Sequence, residues 1–355
     1  MNMVNLDDLT LYQRLDPEGM LEQLKGLPRQ CHNAWEKALK FKLPPEYRNA
    51  DKVVVLGMGG SAIGADLLRS LAHHLKRPLI FVVRDYDLPA FVDEDTLVIA
   101  SSYSGNTEET LSAFSQALNT RCHKLVLTTG GRLGDMAKKA GVPVFTIEHT
   151  SPPRAALGYS LMPLIAFFQQ LGFFGDVSAE VAETLATLED LQRQWKNDAL
   201  QSSNLAKQLA TSLYGKIAVI YGAGILSEVA RRWKTQINEN SKAWAFFEAL
   251  PELNHNAVVG YAMPPELLPK IFVVLLRSSH IHPRTLIRYQ VTAELLQQRG
   301  IPHQTVDAPG KGELAQMMGI VYLGDWVSYY LAVLYEVDPT PVKVIDYLKK
   351  RLSEA

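Results

Sequence analysis

One local pattern occurs twice in this chain. Lys216-Ile217-Ala218-Val219-Ile220-Tyr221-Gly222-Ala223-Gly224 lies on Lys52-Val53-Val54-Val55-Leu56-Gly57-Met58-Gly59-Gly60 without a gap. Each copy reads as a short apolar strand, a glycine turn and the start of a helix. A strand apolar at successive positions is buried on both faces, which calls for a parallel sheet covered by helices on each side. Residues 79–83, 96–100, 124–128 and 142–147 supply further short apolar runs separated by helical patterns. Five strands in this alternation predict a flavodoxin-like, doubly wound domain. After a polar, helical stretch over residues 177–212 the pattern restarts. Residues 271–276, followed by Arg277-Ser278-Ser279-His280, echo the third strand and its serine turn. The expectation is an α/β chain of two tandem domains, each a mainly parallel five-stranded sheet flanked by helices. Residues 1–176 hold N-terminal helices (a helical pattern over 17–42) and the first domain. Residues 177–212 form a helical linker, and 213–355 the second domain with a C-terminal helix. A chain of 355 residues is long enough for two such cores.

Charge and composition exclude several classes. Thirty-six basic against 37 acidic residues leave a net charge of −1, so no basic surface invites nucleic acid. The longest apolar runs, such as residues 271–276, fall far short of a membrane span. Asp7, Asp8, Asp16 and Glu18 are at odds with a signal peptide. Cys31 and Cys122 have no CxxC spacing and no surrounding metal-ligand cluster, which points to reduced thiols, a cytoplasmic location and no metal.

Two turns carry the chemistry. Ser101-Ser102-Tyr103-Ser104-Gly105-Asn106-Thr107-Glu108-Glu109-Thr110 joins the third strand to a helix. Short neutral donors, backbone N–H groups and a helix N-terminus suit a phosphate monoester. A capping box, with Asn106 as cap and Glu109 reaching back, accounts for part of the same sequence. Gly57-Met58-Gly59-Gly60-Ser61-Ala62 satisfies G-x-G-x-x-A, and Asp85 ends the second strand, as a dinucleotide site requires. Asp85 lies further from Gly57 than the usual spacing of about 20 residues. A dinucleotide site also has no need of a second, hydroxyl-rich turn. In a doubly wound sheet the turns after the first and third strands are neighbours. Gly60, Ser61, Ser102, Ser104 and Thr107 are therefore the candidate phosphate site.

Gly57 to Leu68 and Ser101 to Thr110 resemble the paired turns of the sugar isomerase (SIS) domain, which binds phosphorylated sugars. Pro152-Pro153-Arg154-Ala155-Ala156-Leu157-Gly158-Tyr159-Ser160, Asn238-Glu239-Asn240-Ser241-Lys242, Asn254-His255-Asn256 and Asp338-Pro339-Thr340-Pro341 extend the likeness. They are similar to the bifunctional phosphoglucose/phosphomannose isomerases, from about residue 50 onward. The resemblance implies two tandem SIS domains and interconversion of glucose 6-phosphate, mannose 6-phosphate and fructose 6-phosphate through an enediolate. No metal or organic cofactor is implied, and the protein would be a homodimer whose His255 reaches the partner subunit's site. Glu239 becomes the general base, its pKa raised by burial against Trp233 or Trp244; a helix-end salt bridge is the alternative. His255, its tautomer set by the flanking asparagines, is assigned to ring opening, and Arg154 to the enediolate unless it pairs with Glu148. Thr340 also suits an N-cap, with Pro341 opening a helix over 342–352. The family places Thr340 on the substrate hydroxyls and a lysine beside it, taken as Lys349, with Lys343 and Lys350 as rivals. An isomerase for another sugar phosphate, a phosphosugar sensor without catalysis and an NAD-dependent oxidoreductase are the competing readings.

Overall fold

The computed structural model describes residues 3–354. Three short helices, α1 (Thr10–Leu15), α2 (Met20–Lys25) and α3 (Leu27–Leu39), come first. Then follow β1 (Lys52–Leu56), α4 (Gly60–Leu71), β2 (Leu79–Val83), β3 (Thr96–Ser101), α5 (Glu108–Leu118) and β4 (His123–Thr128). Helix α6 (Gly131–Lys139), β5 (Val144–Thr146) and α7 (Leu157–Gln170) complete the first copy. Helices α8 (Ser178–Trp195) and α9 (Leu205–Leu213) lead to β6 (Ile217–Ala223), α10 (Ser227–Asn240), β7 (Ala245–Leu250) and β8 (Ile271–Arg277). Last come α11 (Pro283–Gln298), β9 (His303–Asp307), α12 (Glu313–Leu334) and α13 (Lys343–Ser353).

The first sheet has the order β2-β1-β3-β4-β5 and is parallel throughout. Val53, Val54 and Val55 in β1 have no exposed surface. Each buried side chain of that kind contributes roughly 1.5–3 kcal/mol. The order reverses between β1 and β3, so the turns that follow them lie side by side at the carboxyl edge.

The second sheet, β7-β6-β8-β9, repeats that arrangement with β6 in the place of β1 and β8 in the place of β3. It has four strands instead of the expected five. The chain after β9 passes through Ala308-Pro309-Gly310 directly into α12, and the segment is used as a buried helix. Among the described residues α12 is the one helix long and apolar enough to cross a membrane, but the apolar stretch is wholly buried in the fold, as in a core helix.

Packing groups residues 26–189 with Gly310–Gln316 in one compact unit. The chain up to Lys25, Asp190–Pro309 and the residues from Met317 onward form the other. The units thus do not follow chain order as the expected segments 1–176, 177–212 and 213–355 do. The first helices join the second sheet because their side chains fit α12. Tyr12 stacks on Tyr329 with ring centroids 6.1 Å apart. Asp16 accepts from the N–H groups of Met20 and Leu21 at 2.8 and 2.7 Å and from the Tyr329 hydroxyl at 3.1 Å. The helical pattern over 17–42 is broken at Gly26, where Pro28, lacking an N–H, opens α3.

The C-terminal helix starts later than expected. Val342 is its N-cap, and the Thr340 N–H donates instead to Asp338 Oδ1 at 2.9 Å. That side-chain turn holds Thr340 outside the helix, so Thr340 is not the cap and Pro341 is not its first residue.

Candidate active site

In the first-sheet unit the two turns and the Arg154 loop meet. A Cβ added at Gly60 would lie 2.8 Å from Pro153 O and 3.1 Å from Arg154 N, so only glycine lets the loop rest on the start of α4. Arg154 itself is buried, in a tight turn over Pro153–Ala155. The opening turn of α4 contains no acidic residue, and its N-terminal amides and dipole favour an anion.

The hydroxyls divide into those that face outward and those that hold the turn. Ser61 Oγ accepts the Tyr103 N–H at 3.0 Å, which leaves its proton as a donor. Ser104 is exposed, and its Oγ accepts the Asn106 N–H at 3.2 Å. Ser102 is fully buried: its Oγ accepts the Gly105 N–H at 3.2 Å and sits 2.9 Å from Thr107 Oγ1. Ser102 therefore supports Thr107, which is half-buried. The capping box is not formed. Thr107, not Asn106, is the N-cap of α5, without a side-chain bond. Asn106 donates to Ser104 O and accepts the Arg132 N–H, both at 3.2 Å. Glu108 and Glu109 in the first turn of α5 disfavour an anion there, so α4 is the better receptor.

The loop before Arg154 is built by residues that the sequence reading left without a role. The Tyr103 hydroxyl donates to His149 O at 2.5 Å and accepts the Ser151 N–H at 3.0 Å. Gln30 donates to Ala155 O at 2.8 Å and accepts the Gly158 N–H at 2.6 Å. Those bonds orient its amide, so Gln30 Nε2 also points its hydrogen at His149 Nε2, 3.2 Å away. The acceptor nitrogen must be unprotonated. Burial beside Tyr159 likewise holds the His149 pKa below the usual imidazole range, with Arg29 adding to it. Glu148, the alternative partner for Arg154, pairs with Lys37 at 3.0 Å.

The second-sheet unit holds the other candidates. Glu239 sits half-buried in the last turn of α10. That helix is fastened to α12 along its buried face. Arg232 and Gln236 reach Asp325 at 2.8 and 2.9 Å, and the Trp233 indole N–H donates to Ile320 O at 2.8 Å. Asn240 Nδ2 donates to Ser328 Oγ at 2.9 Å and Ser241 Oγ to Ser328 O at 2.6 Å. Burial pushes the Asp325 carboxyl up, and Arg232 and Gln236 draw it back. The two tryptophans expected to bury Glu239 differ in placement. Trp233 is a core residue bonded to α12, and Trp244 is 76% exposed.

Lys242 ties the Glu239 segment to the Thr340 segment. Its ammonium donates to Glu239 O and, at 3.1 Å, to Pro339 O. Its φ of 55° is in the left-handed region, which non-glycine residues adopt at a cost and which commonly closes a helix just past its C-cap, here Ser241 of α10. Thr340, next to Pro339 in sequence, is buried. His255 is exposed at the end of a tight turn, Glu252–His255. Its neighbours do not set its tautomer: Asn254 bonds Thr292 at 2.9 Å and Asn256 bonds Glu252 at 2.9 Å. Lys343, Lys349 and Lys350 all lie exposed on α13. In the second copy the turn after β8 carries Ser278 and Ser279, and the buried Ser278 accepts the His280 N–H on its Oγ at 2.9 Å.

The SIS domain model matches residues 46–171, and that of the bacterial phospho-glucose isomerase C-terminal SIS domain matches residues 202–352. A relative from Caldicellulosiruptor bescii, named bifunctional phosphoglucose/phosphomannose isomerase, is 44% identical over 94% of this chain and 99% of its own length. One of the same name from Aquifex aeolicus is 37% identical over 90% of this chain and 94% of its own. A solved glucose-6-phosphate isomerase like protein from Thermus thermophilus shares the fold, with a TM-score of 0.66 at 19% identity over 97% of this chain and 100% of that one. Two SIS matches in tandem and near full-length identity make this chain a member of the bifunctional phosphoglucose/phosphomannose isomerase family.

Proposed function

We propose that this protein is an aldose–ketose isomerase interconverting glucose 6-phosphate, mannose 6-phosphate and fructose 6-phosphate. The observation that carries the reading is the adjoining pair of turns, in which Ser61 is bonded to Tyr103 beside Ser104 and Thr107 and the Pro153–Arg154 backbone rests on Gly60, a cup of neutral donors in a chain of this family. The cup holds the 6-phosphate, with Ser102 supporting Thr107. Glu239 takes the C2 proton of the open-chain aldose and returns it to C1, so one carboxylate serves both transfers. The electron pair left at C2 spreads onto O1 as the enediolate, and Arg154 offsets that charge. His255 and Lys349 move protons during ring opening. Thr340 holds substrate hydroxyls, and rotation about C2–C3 presents the other face of C2 for the mannose product. No cofactor is needed, since hydrogen and electrons are only redistributed within the sugar.

The active form in this reading is a homodimer in which His255 of each subunit serves the other. Trp244, Val259 and Met263, near His255 in sequence, are 76%, 79% and 73% exposed, as surfaces awaiting a partner are. Cys31 and Cys122 are buried thiols in no disulfide, which supports a cytoplasmic setting. The test is a coupled assay with fructose 6-phosphate, following glucose 6-phosphate and mannose 6-phosphate separately. Wild type is expected to form both, and Glu239→Gln to lose both by about 100-fold or more. Binding of fructose 6-phosphate without either product refutes the reading.

A further inference from the structure

The turn that carries Ser104 and the loop that carries Arg154 are remote in sequence, and one side chain joins them. Tyr103 donates its N–H to Ser61 Oγ at 3.0 Å, and its carbonyl accepts the Thr129 N–H and hydroxyl at 3.0 and 2.8 Å. Its phenol bridges His149 O at 2.5 Å and the Ser151 N–H at 3.0 Å. Pro152 and Pro153 follow, with φ fixed by their rings, so a position set at Ser151 is passed on to Arg154. Gln30 grips the far side at Ala155 and Gly158. Arg154 is thus held from both ends, and one of those ends is the phosphate cup.

We propose that Tyr103 is a positioning residue that couples capture of the phosphate to placement of the Arg154 guanidinium. The proposal rests on the isomerase reading above. Binding energy from the unreactive phosphate accelerates a reaction when it fixes a group that acts on the reacting carbons. An anion closing on Ser61, Ser104 and Thr107 fixes the Tyr103 backbone, and the ring carries that constraint to residues 149–151. The phenol is occupied by two backbone groups, so it acts through Arg154 and not on the sugar.

Tyr103→Phe keeps the ring and removes both bridging bonds. Kinetics with fructose 6-phosphate are measured together with competitive inhibition by inorganic phosphate and by 5-phosphoarabinonate, whose carboxylate mimics the enediolate charge. The variant is expected to lose about tenfold or more in kcat and to bind 5-phosphoarabinonate weaker by a similar factor. Its inhibition constant for phosphate is expected to stay within about twofold of wild type, which also reports an intact fold. In an Arg154→Lys background Tyr103→Phe is expected to cost nothing further, because the group it positions is already gone. Unchanged kcat overturns the proposal, and so does a phosphate constant that rises as much as kcat falls, or additivity with Arg154→Lys. A wild-type enzyme that forms neither product overturns the isomerase reading and this inference with it. An active wild type with an unaffected variant overturns this inference alone.

Discussion

Replacing Asp325 by Asn tests how the helix that carries Glu239 is held. Arg232 is 2% exposed and Asp325 4%, and their side chains meet at 2.8 Å. Asn is close to Asp in shape and still offers an oxygen to Gln236, so the main loss is the charge opposite Arg232. An unbalanced buried guanidinium costs about 3–5 kcal/mol, a large part of a typical stability of about 5–15 kcal/mol. For a unit of roughly 150–250 residues each kcal/mol lowers Tm by about 2–4 °C, so a fall of about 6–20 °C is expected. Thermal unfolding followed by circular dichroism reads the shift. The double variant Arg232→Met, Asp325→Asn removes the orphaned charge and is expected to be more stable than Asp325→Asn alone. A fall of less than about 2 °C in the single variant, or a double variant less stable than it, refutes the argument that charge balance is what fastens α10 to α12.

Three further outcomes follow from the same geometry. Gly60→Ala places a methyl 2.8 Å from Pro153 O, and displacing that loop by a few tenths of an ångström is expected to lower kcat by about tenfold; activity within twofold of wild type counts against the close approach. His149 has its pKa lowered by burial, so the unfolded chain takes up the proton first; stability is fully present above about pH 6.5 and declines below it. Urea melts from about pH 5 to 8 are expected to show that slope in wild type and a smaller one in His149→Gln, and equal slopes would exclude His149 as its source. Lys242→Gly relieves a left-handed backbone and is expected to leave Tm unchanged or higher while kcat falls by about tenfold, because the tie between Glu239 O and Pro339 O is lost; full activity would show that the tie does not matter.

Much of this architecture is legible along the chain, and the residues that resisted are instructive. Strands β1, β3 and β8 are readable because they are short, apolar and followed by glycine or serine turns, and β2 because it is a short apolar run after Pro78. The edge strand β7, Ala-Phe-Phe-Glu-Ala-Leu, alternates between buried and exposed and gave no such signal. The fifth strand expected in the second sheet failed because the repeat diverges after β9, where an apolar run long enough for a helix takes the place of a shorter one. Of the residues proposed for the site, Ser61, Ser104 and Thr107 announce themselves by composition and position. Gln30, Tyr103 and Asp325 do not, because their importance lies in partners remote along the chain.

The sequence by itself determined that two copies of a strand, glycine turn and helix would build parallel sheets, and that hydroxyls would gather after the first and third strands. Those are consequences of local periodicity and of glycine's backbone, which neighbours in sequence express. Tertiary structure alone decided which hydroxyl faces outward and which is buried, that Thr340 is not a helix cap, and that the first two helices pack with the second sheet. It also decided that the loop around Arg154 rests on Gly60 and is bonded by Tyr103 on one side and Gln30 on the other. Each of these depends on a contact between remote segments, where a hydrogen bond or a missing Cβ chooses among conformations that local sequence leaves nearly equal in free energy.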